Sequence, residues 1–244
     1  MKINLEVCLD NIESIDTCSE VGIDRVELCS ALALGGLTPA YSTVFYAVKR
    51  SKIISYAMIR PRAGDFCYSS SELQMMKEEI KAMAEIGVNG VVFGVLTPNL
   101  EINFHAAEGI VKAAKQFNLG TTFHRAFDFV PDYRKSIDIL VKLGIDRILT
   151  SGLADKAPAG AKVIADAIKY ADGRICIMAG SGVNSVNVSS LIKETDVKEV
   201  HCSASCMKTV SNATLKLGSS SSDLSYQITD KEHLLKIKRA IESM

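Results

Sequence analysis

The sequence has no excess of charge: 28 Lys and Arg balance 28 Asp and Glu, so no overall field exists to hold nucleic acid or an anionic membrane. Neither is expected as a partner, and any charged ligand must be bound locally. Also missing is an apolar run near the roughly 20 residues that span a bilayer. The start MKINLEVCLD does not show the basic and then apolar pattern of a signal peptide, so a cytoplasmic protein is expected. No CxxC pair and no Cys/His zinc spacing occurs, which leaves a structural zinc site without support. The seven cysteines (8, 18, 29, 67, 176, 202 and 206) are odd in number and scattered, the pattern of reduced thiols. Charged residues make up 23% and apolar residues 48%, enough to bury a sizeable core and to exclude disorder over most of the chain.

What is present is alternation. Apolar, β-rich runs near 2–8, 24–29, 53–60, 89–94, 120–125, 145–151, 174–180 and 198–203 predict eight strands. Helical periodicity falls near 11–20, 40–50, 70–86, 104–117, 132–143, 158–171, 184–194 and 230–242. Strands alternating with helices indicate a parallel sheet with crossover helices. The length of 244 residues suits one α/β unit, a single TIM (β/α)8 barrel spanning 1–244, since such barrels need roughly 250 residues. Three segments, GIDRVELC (22–29), GVNGVVFG (87–94) and GIDRILTS (144–151), each place a helix-ending Gly before a strand. This repetition favours a barrel of equivalent units, although a doubly wound sheet shares the signal. The last connection, Ser205 to Thr229, is long and includes the polar run GSSSSD (218–223), which reads either as a lid or as a mobile surface excursion. Apolar residues left over on the helices would permit a homodimer.

Alternate residues of a barrel strand point inward. In strand 1, Ile3, Leu5 and Val7 form an outward apolar row, so Asn4, Glu6 and Cys8 face in. In strand 2, Val26 and Leu28 face out and Arg25, Glu27 and Cys29 face in. Strand 8 has Val200 and Cys202 outward and Glu199, His201 and Ser203 inward, and closure should bring His201 near Glu6. Arg60 continues the inward row of Tyr56 and Met58. Strand 5 delivers His124 or Arg125 to its end and Asp128 just beyond, and period alone does not choose between the first two. Ser151 and Gly152 end strand 6, and the turn AGSGVN (179–184) contains Gly180 and Gly182, whose amides can approach a ligand such as phosphate.

Arg25, Arg147 and Glu199 lie deep enough to be a paired structural layer. Glu6, Glu27, Arg60, His124, Asp128 and His201 gather at strand ends, where so many titratable groups are more economically explained by a polar ligand. Ser151, Gly152, Gly180, Gly182 and Ser203 are candidate ligand-binding positions. Copper(I) prefers soft ligands, and Cys8 and Cys29 are the best-placed thiols for it. The alternative for each is that of a small buried hydrophobe. Cys176 and Cys202 read as structural, and His105 and His233 as surface residues.

The segments EVC (6–8), DRVELC (24–29), GGLTP (35–39), MIRPRAGDF (58–66), GVVFG (90–94), FHRAFD (123–128), LTSG (149–152) and AGSGVN (179–184) together closely resemble the CutC family. The resemblance implies a cytoplasmic barrel and a role in copper homeostasis, with copper(I) as the partner; a small-molecule anion is the partner that the polar strand ends suggest instead. The chain departs from the family's common LTSGG at Leu153 and from AGGGV at Ser181. A second functional class fits the same residues. An enzyme working by proton transfer on a small phosphorylated or carboxylated metabolite would use Glu6 or Glu27 as base, His201 or His124 as acid and Arg60 as anion clamp.

Overall fold

Eight short parallel strands, β1 (Asn4–Leu9), β2 (Arg25–Leu28), β3 (Ile54–Met58), β4 (Gly90–Phe93), β5 (Gly120–Phe123), β6 (Arg147–Thr150), β7 (Cys176–Ala179) and β8 (Glu199–Cys202), close into a barrel in chain order. Around them run α1 (Ile12–Val21), α2 (Tyr41–Arg50), α3 (Ser70–Ile86), α4 (Phe104–Lys115), α5 (Tyr133–Leu143), α6 (Ala161–Ala171), α7 (Val188–Thr195) and α8 (Lys231–Glu242). The computed structural model describes residues 2–211 and 224–244. Among them no helix is long and apolar enough to cross a membrane. The architecture is the expected TIM barrel, and the doubly wound alternative is excluded because β1 pairs with both β2 and β8.

The outward rows form the main core. Val7, Val26, Ala57, Val91, Ile148 and Val200 are wholly buried beneath helix residues such as Ile15, Val44, Ile80, Ile110 and Ile137. Gly22, Gly87 and Gly144 end α1, α3 and α5 in the left-handed conformation, with φ of 68°, 104° and 69°, as their repetition before strands predicted.

The lower barrel interior is ionic. Arg25 bonds both Glu6 and Glu199, and Arg147 bonds Glu199 through Nε at 2.6 Å and Nη2 at 3.1 Å. The Tyr56 ring lies beside both guanidiniums, its centroid 5.2 Å from the guanidinium carbon of Arg25 and 5.5 Å from that of Arg147. Room for that ring comes from β4 and β5, which each begin with glycine. A Cβ on Gly90 would stand 2.4 Å from Tyr56 Cε1, and one on Gly120 would stand 2.1 Å from its hydroxyl.

The connection from Ser205 to Thr229 is more regular than the sequence suggested. Ser205–Ser211 (β9) and Leu224–Thr229 (β10) pair as an antiparallel hairpin outside the barrel. Its period-two pattern was obscured by polar residues on both strands. The hairpin is tied to α1: the Thr229 amide donates to Ser14 Oγ at 2.8 Å, and Lys208 and Tyr226 reach Glu13. The run GSSSSD (218–223), on which the choice between lid and mobile excursion turned, lies outside the described residues.

Candidate functional site

A cavity of about 510 Å³ opens at the C-terminal ends of the strands, within the size range of small-molecule sites. One face comes from β8, β1 and β2. Their alternation turns His201, Cys8 and Glu27 inward, and one ligand atom from each lies within 4.8 Å of the others. His201 is oriented from below by Glu6, whose Oε1 lies 2.8 Å from Nδ1, leaving Nε2 3.6 Å from Glu27 Oε2. The expected proximity of His201 to Glu6 is therefore realised.

Glu6 and Glu27 have opposite electrostatics. Burial favours a neutral Glu6, but the His201 hydrogen bond and the Arg25 charge override it and hold the carboxyl at about 2. Glu6 has both oxygens engaged and does not border the cavity, so it orients His201 and is removed from direct contact with a ligand. Burial dominates at Glu27, reinforced by the Glu6 charge against the opposing pull of His201 and Arg25, and its carboxyl rises to about 7. Its Oε1 is buried with no partner among the described residues. Burial alone would lower His201, yet Cys8, Glu6 and Glu27 raise it well above the ordinary imidazole value.

A carboxyl held above its unfolded value stabilises the fold fully below that unfolded value and loses this contribution as pH rises through the folded one. Glu6 runs the other way, losing its contribution as pH falls toward about 2. Glu27→Gln cannot ionise, so its melting temperature should gain on that of the native protein as pH rises from about 5 to about 8. Thermal unfolding of both proteins across that range checks this. A constant difference between them would rule out the raised carboxyl.

The opposite face comes from β3, β5 and the following loops. His124 directly follows β5 and its Nδ1 accepts the Ala126 amide at 3.0 Å. Arg125 opens the 3-10 turn Arg125–Phe129 and also borders the cavity, so the choice that period left open resolves as both. Asp128 does not border it. It clasps the end of β6, accepting the Ser151 amide at 3.0 Å and the Leu153 amide at 3.2 Å, and pairs with Arg125 Nε at 2.8 Å.

Other candidates divide in the same way. Gly182 and Ser203 border the cavity, whereas Ser151, Gly152 and Gly180 do not. Ser151 donates to Asp128, Gly152 lies where a Cβ would meet the Gly160 carbonyl at 2.2 Å, and Gly180 makes room for Leu149 and His201. Cys29 borders the cavity but stands outside the group formed by Cys8, Glu27 and His201. It packs against Met58 and Val92, and burial holds its thiol well above the ordinary value. Cys202, although in the outward row, also touches the cavity. Sequence reasoning missed Phe66 and Phe129, because irregular loops carry no periodic signal. His105 and His233 are exposed, as expected. Leu153 and Ser181 adopt φ of 59° and 77°, so both departures from the family pattern occupy backbone positions that favour glycine.

A TIM barrel whose mouth joins a thiol, an imidazole and a carboxyl on one face to guanidiniums and a second imidazole on the other defines a compact site for a small polar ligand or metal ion. The chain belongs to the CutC family, whose model matches residues 3–206. It is 44% identical over 246 residues to a CutC family protein of Vibrio atlanticus strain LGP32, covering 99% of each chain. A CutC family protein of Glaesserella parasuis serovar 5 is also 44% identical, over 98% of this chain and 99% of its own. A solved structure from Streptococcus agalactiae, described as a candidate copper homeostasis protein CutC, is 38% identical with a TM-score of 0.78, covering 82% of this chain and 98% of its own. Phosphoribosylanthranilate isomerase from Pyrococcus furiosus, 14% identical with a TM-score of 0.58, covers 99% of this chain and 100% of its own and shares the fold alone.

Proposed function

We propose that the protein serves copper homeostasis by holding a copper ion as cargo at the barrel mouth, with Cys8 and His201 as the soft and intermediate ligands and Glu27 as the third. The observation that carries this reading is the convergence of their three donor atoms within 4.8 Å on the cavity wall. Thiolate and imidazole suit copper, and the unpartnered Glu27 Oε1 supplies a further free donor atom. The family resemblance and the description of the Streptococcus agalactiae relative support it. All seven cysteines are free, in keeping with a cytoplasmic setting. Tyr41 and Phe45, exposed and stacked 6.2 Å apart on α2, support association as a homodimer.

Anaerobic copper(I) titration against a competing chelator is the test. One equivalent should bind. Cys8→Ser should weaken it at least tenfold, about 1.4 kcal/mol, while Cys29→Ser leaves it nearly unchanged. Retention of affinity in the Cys8 variant would remove this ligand set.

One observation favours a second reading, acid/base catalysis on a small anionic metabolite in the same cavity. Glu27 combines an oxygen without a partner among the described residues with a carboxyl raised to about 7, the condition of a general base at neutral pH. Glu27→Gln should then abolish turnover of a metabolite found by screening. Undiminished turnover in that variant would reject Glu27 as the base.

A further inference from the structure

Arg60 differs from the other cations that face the barrel interior. Arg25 and Arg147 are ion-paired with Glu199, His201 with Glu6, and Arg125 with Asp128. Arg60, 6% exposed, forms no ion pair among the described residues. Its Nη1 donates to the carbonyls of Leu34 at 2.9 Å and Gly36 at 3.0 Å, and its Nη2 to that of Gly64 at 3.1 Å, while Nε has no partner among the described residues. Carbonyls accept three of its hydrogens without neutralising its charge, and an unpaired buried charge is costly unless a counterion arrives.

His124 stands beside it. The Phe66 ring packs against both side chains, 5.1 Å from the Arg60 guanidinium carbon and 5.0 Å from the His124 ring. Because Nδ1 accepts the Ala126 amide, a neutral His124 carries its proton on Nε2. That atom is buried and has no acceptor among the described residues. Burial, assisted by the Arg60 charge, pulls the ring down to about 3, so it is neutral at physiological pH. His124 is therefore a fixed hydrogen-bond donor and has no spare proton to give as an acid.

We infer that Arg60 and His124 form an oxyanion subsite that holds the carboxylate or phosphate group of a small metabolite, facing Cys8, Glu27 and His201 across the cavity. This rests on the second reading above, and it reassigns His124 from proton donor to anion reader. Arg60 supplies the charge and His124 the directed N–H. The Phe66 ring keeps the two in one wall, and the glycine at position 94 gives the imidazole its place, since a Cβ there would stand 2.3 Å from His124 Cε1.

The test uses the metal-free full-length protein, calorimetric titration and thermal shift, with inorganic phosphate, oxalate and pyruvate as probes at ionic strength matched by potassium chloride. At least one probe should bind saturably, and phosphate against the two carboxylates distinguishes the sources of the oxyanion. Arg60→Gln and His124→Phe should each weaken binding at least tenfold, and His124→Gln, which restores an N–H, should recover most of the loss. Nitrogen NMR of the ligand-free ring should show the proton on Nε2, independently of how the variants fold. A proton on Nδ1, or undiminished binding in both weakening variants, overturns the subsite; the latter leaves the metabolite reading standing. If no probe binds the native protein, the subsite fails, while the catalytic reading is decided separately by turnover in Glu27→Gln.

Discussion

Glu199→Gln should lower unfolding stability by about 3–5 kcal/mol, the cost of removing one partner from a buried ion pair. The substitution keeps the shape of the side chain, removes its charge and turns one acceptor oxygen into a donor that faces arginine N–H groups. Glu199 is the shared anion of the lower barrel, accepting from Arg25 Nη2 at 2.5 Å and from Arg147 through two nitrogens. Without it, among the described residues, Arg147 has no carboxylate partner and Arg25 retains only Glu6. Both guanidiniums are about nine-tenths buried, with side-chain exposures of 8% and 11%, so water cannot replace the lost charge cheaply. Urea unfolding at neutral pH measures the loss. A change below about 1 kcal/mol, the scale of exposed pairs, would show that the layer is far wetter than its burial implies.

Gly120→Ala should destabilise by about 1–3 kcal/mol through overpacking, and Tyr56→Phe should recover part of that loss. A Cβ on Gly120 would stand 2.1 Å from the Tyr56 hydroxyl and 3.0 Å from Cζ, so removing the oxygen relieves the closer contact. The ring itself has little freedom to move, because Arg25 and Arg147 lie against it. A double-mutant cycle isolates the coupling, since residues in contact depart from additivity by about 0.5–3 kcal/mol. Purely additive losses would mean that the strand adjusts instead of the ring.

The two halves of the site differed in how far they could be read from the residues alone. Glu27, Cys8 and His201 follow a strict inside-outside alternation on β1, β2 and β8, and closure of the barrel made His201 and Glu6 neighbours. Pairings that depend on side-chain reach were not legible. Nothing in the spacing of Glu6 shows that both its oxygens are consumed by Arg25 and His201. Asp128 sits one turn beyond β5, where no periodicity operates, and only the path of the 3-10 turn carries it onto the end of β6 instead of into the cavity. The hairpin of β9 and β10 escaped for a related reason: its strands lie outside the barrel and need no apolar row to mark them.

The sequence by itself determined the alternation of eight strands with helices, the inward and outward rows and the set of polar strand ends, because the side-chain period and the glycines ending the helices act locally along the chain; closure into a barrel needed the pairing of β1 with β8. Only the tertiary structure decided which of those polar groups neutralise one another. Charge compensation depends on distances of a few ångströms between strands remote in sequence, and among the described residues that left Glu27, Arg60 and His124 with unpartnered buried atoms.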